Sequence, residues 1–375
     1  MSIKITRLNE SIAVDEAGHR YVIANDSRGV NQKVWLKLEN GEFKDSYLIK
    51  FSTRKPNAIS ELNLYNEVVC SRLCDKLGLD HVNYEFCEFV DLDGSVKRGV
   101  ISQNYRESAN WVETNGRAVH ESYCLLWYDN NYGMIPKLEL NTVYTYIKEL
   151  KTRFESRKMV MSQETEDRLT EEMLTLAIFD YCTCQIDRHW GNVGWLNNNM
   201  FDNKKFKIKL VPIYDNECSF LLDDATEESL QKMLENIRTP KKSQVAIDMV
   251  NKKRYNSPYL GIKSALVREK EDNKWFLVPR SNDARNLSNA AILAKEIAHE
   301  ASTRPEIGKL CEKITNFDMA GFLNELDCFN DSNAYLKEIY TFVWNIRVGL
   351  LKDEMANYKN NAHGEAKNEE SVPSL

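Results

Sequence analysis

The sequence predicts an α+β protein in two parts: a small, mostly antiparallel sheet carrying one helix, followed by a mostly helical remainder. Three observations lead there. Short β-branched and aromatic runs crowd the start of the chain, a single apolar stripe of helical spacing interrupts them, and from about Asn141 the periodicity turns helical.

Tyr21–Ile23, Lys33–Lys37 and Ser46–Phe51 read as strands, and Glu39-Asn40-Gly41-Glu42 joins the last two as a turn. A helix is predicted from about Ile59 to Leu77. Its stripe is Leu62, Tyr65, Val69, Leu73 and Leu77, and Gly78 supplies the stop. Strands return at Tyr84–Val90 and Val100–Gln103 around the turn Asp91–Gly94. A later helix, roughly Glu164 to Cys184, places Leu169, Met173, Ala177, Tyr181 and Cys184 on one face. A hairpin follows, Val193–Leu196 and Lys205–Tyr214 across a polar turn. Residues 222–285 read as a long, charged, irregular insertion with a short hairpin at Lys274–Val278. Helical spacing resumes at Asn289–Ala301 and Asn333–Met355. The predicted organisation is residues 1–105, residues 106–359 and a polar, disordered tail over 360–375.

Composition narrows the function. The chain has 375 residues, 42% apolar and 28% charged, enough for two sizeable cores. A net charge of −6 disfavours a domain built to grip nucleic-acid phosphates. No apolar run approaches the roughly 18 residues of a membrane span, and the N-terminal residues lack a signal-peptide core. A cytoplasmic protein is expected, or one exported without a cleavable signal. The nine cysteines are scattered without a C-x-x-C pair, so buried thiols are expected rather than zinc ligands or disulfides. There is no H-E-x-x-H, G-x-S-x-G, dinucleotide fingerprint or P-loop.

The chemistry concentrates in Asp187-Arg188-His189-Trp190-Gly191-Asn192, with Asp215 lying 23 positions beyond Asn192. In isolation, Asp187 and Asn192 would be read as turn residues. Here a helix precedes them, a hairpin follows, and the hairpin returns to a second carboxylate. A carboxylate and an amide carbonyl are the oxygen ligands that Mg²⁺ needs when nucleotide phosphates supply the rest. The remaining carboxylate can deprotonate an attacking hydroxyl. Kinases distribute these parts in this way.

The block Q-I-D-R-H-W-G-N-V-G-W-L, with P-I-Y-D-N-E after it, resembles HipA-like serine/threonine kinases. Phosphoinositide kinases carry a similar D-R-H-x-x-N loop. The match is sharpest over residues 180–220 and weaker over 20–105. The resemblance implies a two-lobed protein-kinase-like fold, with residues 1–105 as the N-lobe and 106–359 as the C-lobe. It implies an ATP- and Mg²⁺-dependent transferase acting on Ser/Thr hydroxyls of a protein, including autophosphorylation. Asp187 would be the base, Asn192 and Asp215 the metal ligands, His189 a loop organiser, and Arg188 a charge partner near the phosphates. Lys50 would hold phosphates, paired with Glu67 or, alternatively, Glu61. A lysine in so apolar a strand is costly unless it meets an anion, although an edge lysine can also snorkel to water. Ser27, Arg28, Gly29 and Lys33 fall where the family covers the phosphates, but a single glycine there equally suits an ordinary hairpin turn. Gln103 and Tyr105 fall at the adenine-binding connection.

Two rival readings stay open at this level: a lipid or small-molecule kinase, since that loop occurs there too, and a nucleotide-binding pseudokinase acting as an interaction module. Strand-like residues begin almost at the N-terminus, which suggests a minimal kinase core without the extra N-terminal subdomain of larger HipA toxins. An antitoxin-type partner stays open but is unsupported by these residues.

Overall fold

A computed structural model describes residues 3–26, 32–52, 59, 61–115, 143–188, 190–198, 207–222, 225–251, 266–271, 274–279 and 290–369. The chain divides into two compact units. The first comprises Met1–Tyr123, Leu150–Thr165 and His189–Gln231; the second comprises Cys124–Glu149, Glu166–Arg188 and Lys232–Leu375.

The first unit is built on seven strands: β1 (Ile3–Arg7), β2 (Ile12–Asp15), β3 (Arg20–Asp26), β4 (Lys33–Leu38), β5 (Ser46–Phe51), β6 (Tyr84–Val90) and β7 (Val96–Gln103). They form a closed barrel in the order β1-β2-β3-β4-β5-β7-β6. This corrects the expected small sheet. The closing contact is a parallel pairing of β1 with β6, which sets Ile3 opposite Cys87 and Ile5 opposite Phe89. Parallel partners far apart in the chain leave no local turn signal, so sequence reading cannot see the closure.

Alternation fills the barrel. Val34, Leu36, Ile49, Phe51, Cys87 and Phe89 are buried in one interior cluster, while their neighbours on the same strands point the other way. Helix α1 (Leu62–Leu77) lies against β6 and β7, where Leu64 and Val68 meet Val82, Tyr84 and Val100. It stops at Gly78, whose φ of 73° is left-handed and would strain a side chain. Beyond the barrel, β8 (Val112–Asn115), β9 (Gly194–Asn197) and β10 (Ile208–Leu210) make a three-stranded sheet in the order β10-β9-β8. The expected hairpin is its β9–β10 pair.

Helix α2 (Val143–Glu155) begins the helical part, and α3 (Gln163–Cys182) matches the predicted helix, with Leu169, Met173, Ala177 and Tyr181 all buried. In the second unit the insertion expected to be irregular contains α4 (Glu227–Arg238), whose first residues belong to the other unit, and α5 (Ser243–Asn251). Strands β11 (Leu266–Glu271) and β12 (Lys274–Pro279) form a hairpin there. The high charge of α4 hides a short apolar stripe, Leu230 and Met233, which is buried. Helices α6 (Ala290–Thr303), α7 (Pro305–Thr315), α8 (Met319–Glu325) and α9 (Tyr335–Glu369) follow, with α9 packed along α6. Helix α9 runs on to Glu369, past the point where the tail was expected to start.

Among the described cysteines seven are buried and Cys328 is half-buried. Burial pushes the Cys87 and Cys311 thiols up to about 12, far above the free thiol, so neither forms the reactive thiolate near neutrality. A thiol reagent at pH 8 is expected to label Cys328 before unfolding and Cys87 and Cys311 only after it. Peptide mapping that finds early modification of either would contradict their burial.

Candidate active site

Strand register builds one wall of the site. In β4 and β5, Lys33 stands opposite Lys50, Trp35 opposite Leu48 and Lys37 opposite Ser46. Since Val34, Leu36, Ile49 and Phe51 turn into the barrel, these six turn to its other face. There they line a cavity of about 960 Å³ together with Val22, Ala24, Tyr84, Tyr105, Tyr214 and Asp215, among others. All the lining residues belong to the first unit.

Lys50 is the pivot. Its side chain is buried, with Nζ 2.5 Å from Glu67 Oε1 and 2.6 Å from Asp215 Oδ1. Burying an ammonium costs several kcal/mol unless it is paired, and the flanking Ile49 and Phe51 contribute only about 1.5–3 kcal/mol each by their burial. The strand therefore tolerates Lys50 because two carboxylates neutralise it. The Tyr84 ring adds a cation–π contact, 5.3 Å from Nζ.

Burial by itself would lower the Lys50 pKa, but the charges of Asp215 and Glu67 outweigh it and hold the ammonium well above the ordinary lysine range. A raised folded-state value stabilises the fold fully below the unfolded value of about 10.4, and the gain is lost only as pH rises through the folded value. Lys50→Met is accordingly expected to lower Tm equally at pH 7 and pH 9. A penalty that shrinks across that interval would contradict the raised value.

Glu67 is fully engaged: Oε1 takes Lys50, and Oε2 accepts the Asn216 N–H at 2.9 Å. Glu61, the alternative partner, instead receives two hydrogen bonds from Arg98. Asp215 has a left-handed φ of 58°, a conformation that Asp and Asn tolerate better than most residues and that tertiary contacts must enforce. Oxygen atoms of Glu67, Asp215 and Glu217 all lie within 4.8 Å of one another. This is an all-oxygen donor set of the kind a hard cation such as Mg²⁺ takes, and Asn192 lines the same cavity as Asp215. Glu67 is committed through both oxygens, so Asp215 and Glu217 are the members of this group that could offer oxygen atoms to a cation, with Asn192 in the same cavity lining. Sequence reading missed Glu217, although its spacing of two from Asp215 was visible.

Elsewhere in the cavity lining, Gln103 donates to the Lys44 carbonyl at 3.2 Å, and Tyr105 stacks on Tyr214, the neighbour of Asp215. The Tyr105 hydroxyl donates to Glu113 Oε2 at 2.6 Å, and burial followed by the Glu113 charge raises its pKa. Lys33 makes no ion pair among the described residues.

Asp187 and Arg188 belong to the second unit. The Asp187 N–H is accepted by Gln185 Oε1 at 3.0 Å, which pins the start of the loop. Arg188, expected near the phosphates, is completely buried. Its Nε and Nη2 donate to the equally buried Asp180 carboxylate at 3.1–3.2 Å. Asp180 lies in the last turn of α3 and was not singled out from the sequence. The predicted Ser27, Arg28, Gly29 and His189 lie outside the described residues.

No protein-family model matches the chain, and no curated protein matches it by sequence. Solved structures do. The Helicobacter pylori proinflammatory kinase CtkA superposes with a TM-score of 0.54 at 12% identity, over 89% of this chain and 95% of that one. HipA of Shewanella oneidensis MR-1, solved in a toxin–antitoxin complex with HipB and operator DNA, aligns over 88% of this chain and 67% of that one. Its TM-score is 0.42 at 14% identity. The likeness to CtkA establishes a shared fold, that of a kinase. No helix among the described residues is long and apolar enough to cross a membrane.

Proposed function

We propose that this protein is an ATP- and Mg²⁺-dependent kinase that transfers the γ-phosphate to Ser or Thr hydroxyls of a protein, its own chain included. The observation that carries the reading is the Lys50 ammonium held between Glu67 and Asp215 at the edge of a cavity that Asn192 also lines. A lysine bridging two carboxylates is set to exchange part of that contact for nucleotide phosphates.

In this reading Lys50 and Lys33, cross-strand neighbours, bind the phosphates. Lys50 already has two carboxylates, whereas Lys33 makes no ion pair among the described residues and can give its charge to the phosphates. Ser27, Arg28 and Gly29 cover the phosphates from the β3–β4 connection. The base lies against the apolar wall of Val22, Ala24, Leu48 and Tyr84, and Gln103 and Tyr105 meet its edge with backbone groups. Asn192 and Asp215 hold Mg²⁺, with Glu217 beside them. The metal supplies neutralisation of the phosphate charge and a template for in-line transfer. Asp187 accepts the proton of the attacking hydroxyl. His189 organises the loop, and Arg188, tied to Asp180, fixes its start. Catalysis here is mostly positioning and charge neutralisation.

The test is incubation of the purified chain with γ-labelled ATP and Mg²⁺, with and without generic protein and lipid acceptors. Label on serine or threonine, in the chain or an added protein, is expected. Label confined to lipid would make it a lipid kinase, and nucleotide binding without transfer would make it a pseudokinase.

A further inference from the structure

Two successive residues of α1 grip the segment that follows Asp215. Glu67 takes the Asn216 N–H, as described. Asn66, completely buried, donates through Nδ2 to two backbone carbonyls: Glu217 O at 2.7 Å and Ser219 O at 3.0 Å. The gripped segment is tightly wound, with Ser219 N–H bonded to Asn216 O and Leu222 N–H to Ser219 O, and with left-handed φ at Phe220 and Leu221. Just upstream, Ile213 is fixed by backbone bonds with Asp80 and Val82. Just before α1, the Ile59 N–H reaches Ala225 O. Asp215 thus sits in a disfavoured conformation between two anchored stretches, and the downstream anchor is Asn66. An amide is well suited to this task because one NH₂ can serve two acceptors. A carboxylate of the same shape would face both carbonyls with lone pairs.

We propose that Asn66 is a positioning residue for the metal-binding end of the site: by holding the Glu217 and Ser219 carbonyls, it keeps Asp215 in the left-handed conformation that directs its carboxylate to Lys50. This rests on the kinase reading above and deepens it. Groups that orient a metal ligand are commonly worth about 10–100-fold in metal affinity or activity when removed.

The test compares wild type with Asn66→Asp, and with Ser71→Ala as a control. Ser71→Ala removes a buried hydroxyl of the same helix that bonds Asn83 and the Tyr84 N–H. Mg²⁺ is titrated against a fluorescent ATP analogue, and hydrogen exchange is followed in the metal-free protein. In Asn66→Asp the half-saturating Mg²⁺ concentration is expected to rise about tenfold or more, while metal-free nucleotide binding is retained. Amides over 216–222 should lose protection while those of α1 keep theirs. The control should leave the Mg²⁺ curve in place. Should Asn66→Asp fail to fold, Asn66→Ser, which keeps one donor but cannot span both carbonyls, takes its place with the same expectation. A folded Asn66 variant whose Mg²⁺ curve overlays that of wild type overturns this role alone. A wild-type chain that binds no Mg²⁺–nucleotide overturns the kinase reading, and the role with it.

Discussion

Asp215→Asn is expected to reduce phosphate transfer by about 10³-fold or more, the scale of losing a ligand or charge on which transition-state stabilisation depends. Asparagine suits the test because it tolerates the left-handed φ of 58° at this position, so the backbone need not relax. Lys50 keeps Glu67 as its partner in the variant, so no buried ammonium is orphaned. The thermal transition should therefore fall only modestly, by the loss of one of the two charges paired with Lys50, while transfer drops by orders of magnitude. Asp187→Ala should behave alike in transfer, with nucleotide binding retained, because its proposed task is to take a proton rather than to hold ATP. Full turnover in either variant, measured by transfer from γ-labelled ATP, would remove that residue from the mechanism.

The second large effect falls on stability. Asp180→Ala would leave the fully buried Arg188 guanidinium without its carboxylate. Breaking a buried pair from one side typically costs about 3–5 kcal/mol, because the remaining charge is uncompensated. Against a typical total of about 5–15 kcal/mol, that is enough to unfold a substantial share of the molecules on warming. Denaturant titration should show the midpoint falling sharply. The double variant Asp180→Leu/Arg188→Met should recover most of the loss, since apolar replacements of a buried pair are often neutral or better. Its transfer activity should stay low if Arg188 sets the position of Asp187. A double variant with full activity would make the pair structural only.

Much of the first unit was legible because its signals are local. The β5 strand was predicted at Ser46–Phe51 and lies there, because β-branched and aromatic residues alternate between turn sequences. Gly78 ends α1 because only glycine takes its φ without strain. Helical phase did not decide between Glu67 and Glu61; only the family resemblance favoured Glu67, the residue that pairs with Lys50. Helix α1 is buried almost all round, so no polar stripe marks the side facing Lys50. Barrel closure escaped notice for a related reason, since β1 meets β6 across a long stretch of chain. Helix α4 was hidden because charged positions surround its short apolar stripe, and α5 because nine residues are too few to display a helical repeat.

The sequence alone determined the stock of chemical groups and their order: a lysine in an apolar strand, the D-R-H-W-G-N loop, and an aspartate after the following hairpin. Those features depend on neighbours within a few residues, where steric and hydrogen-bond preferences act. Only the tertiary structure decided which charges meet: Lys50 with Glu67 and Asp215, Arg98 with Glu61, Arg188 with Asp180. The reason is that a buried charge must find its opposite through space. Which candidate lies within reach is fixed by how helices and strands pack, not by their spacing along the chain.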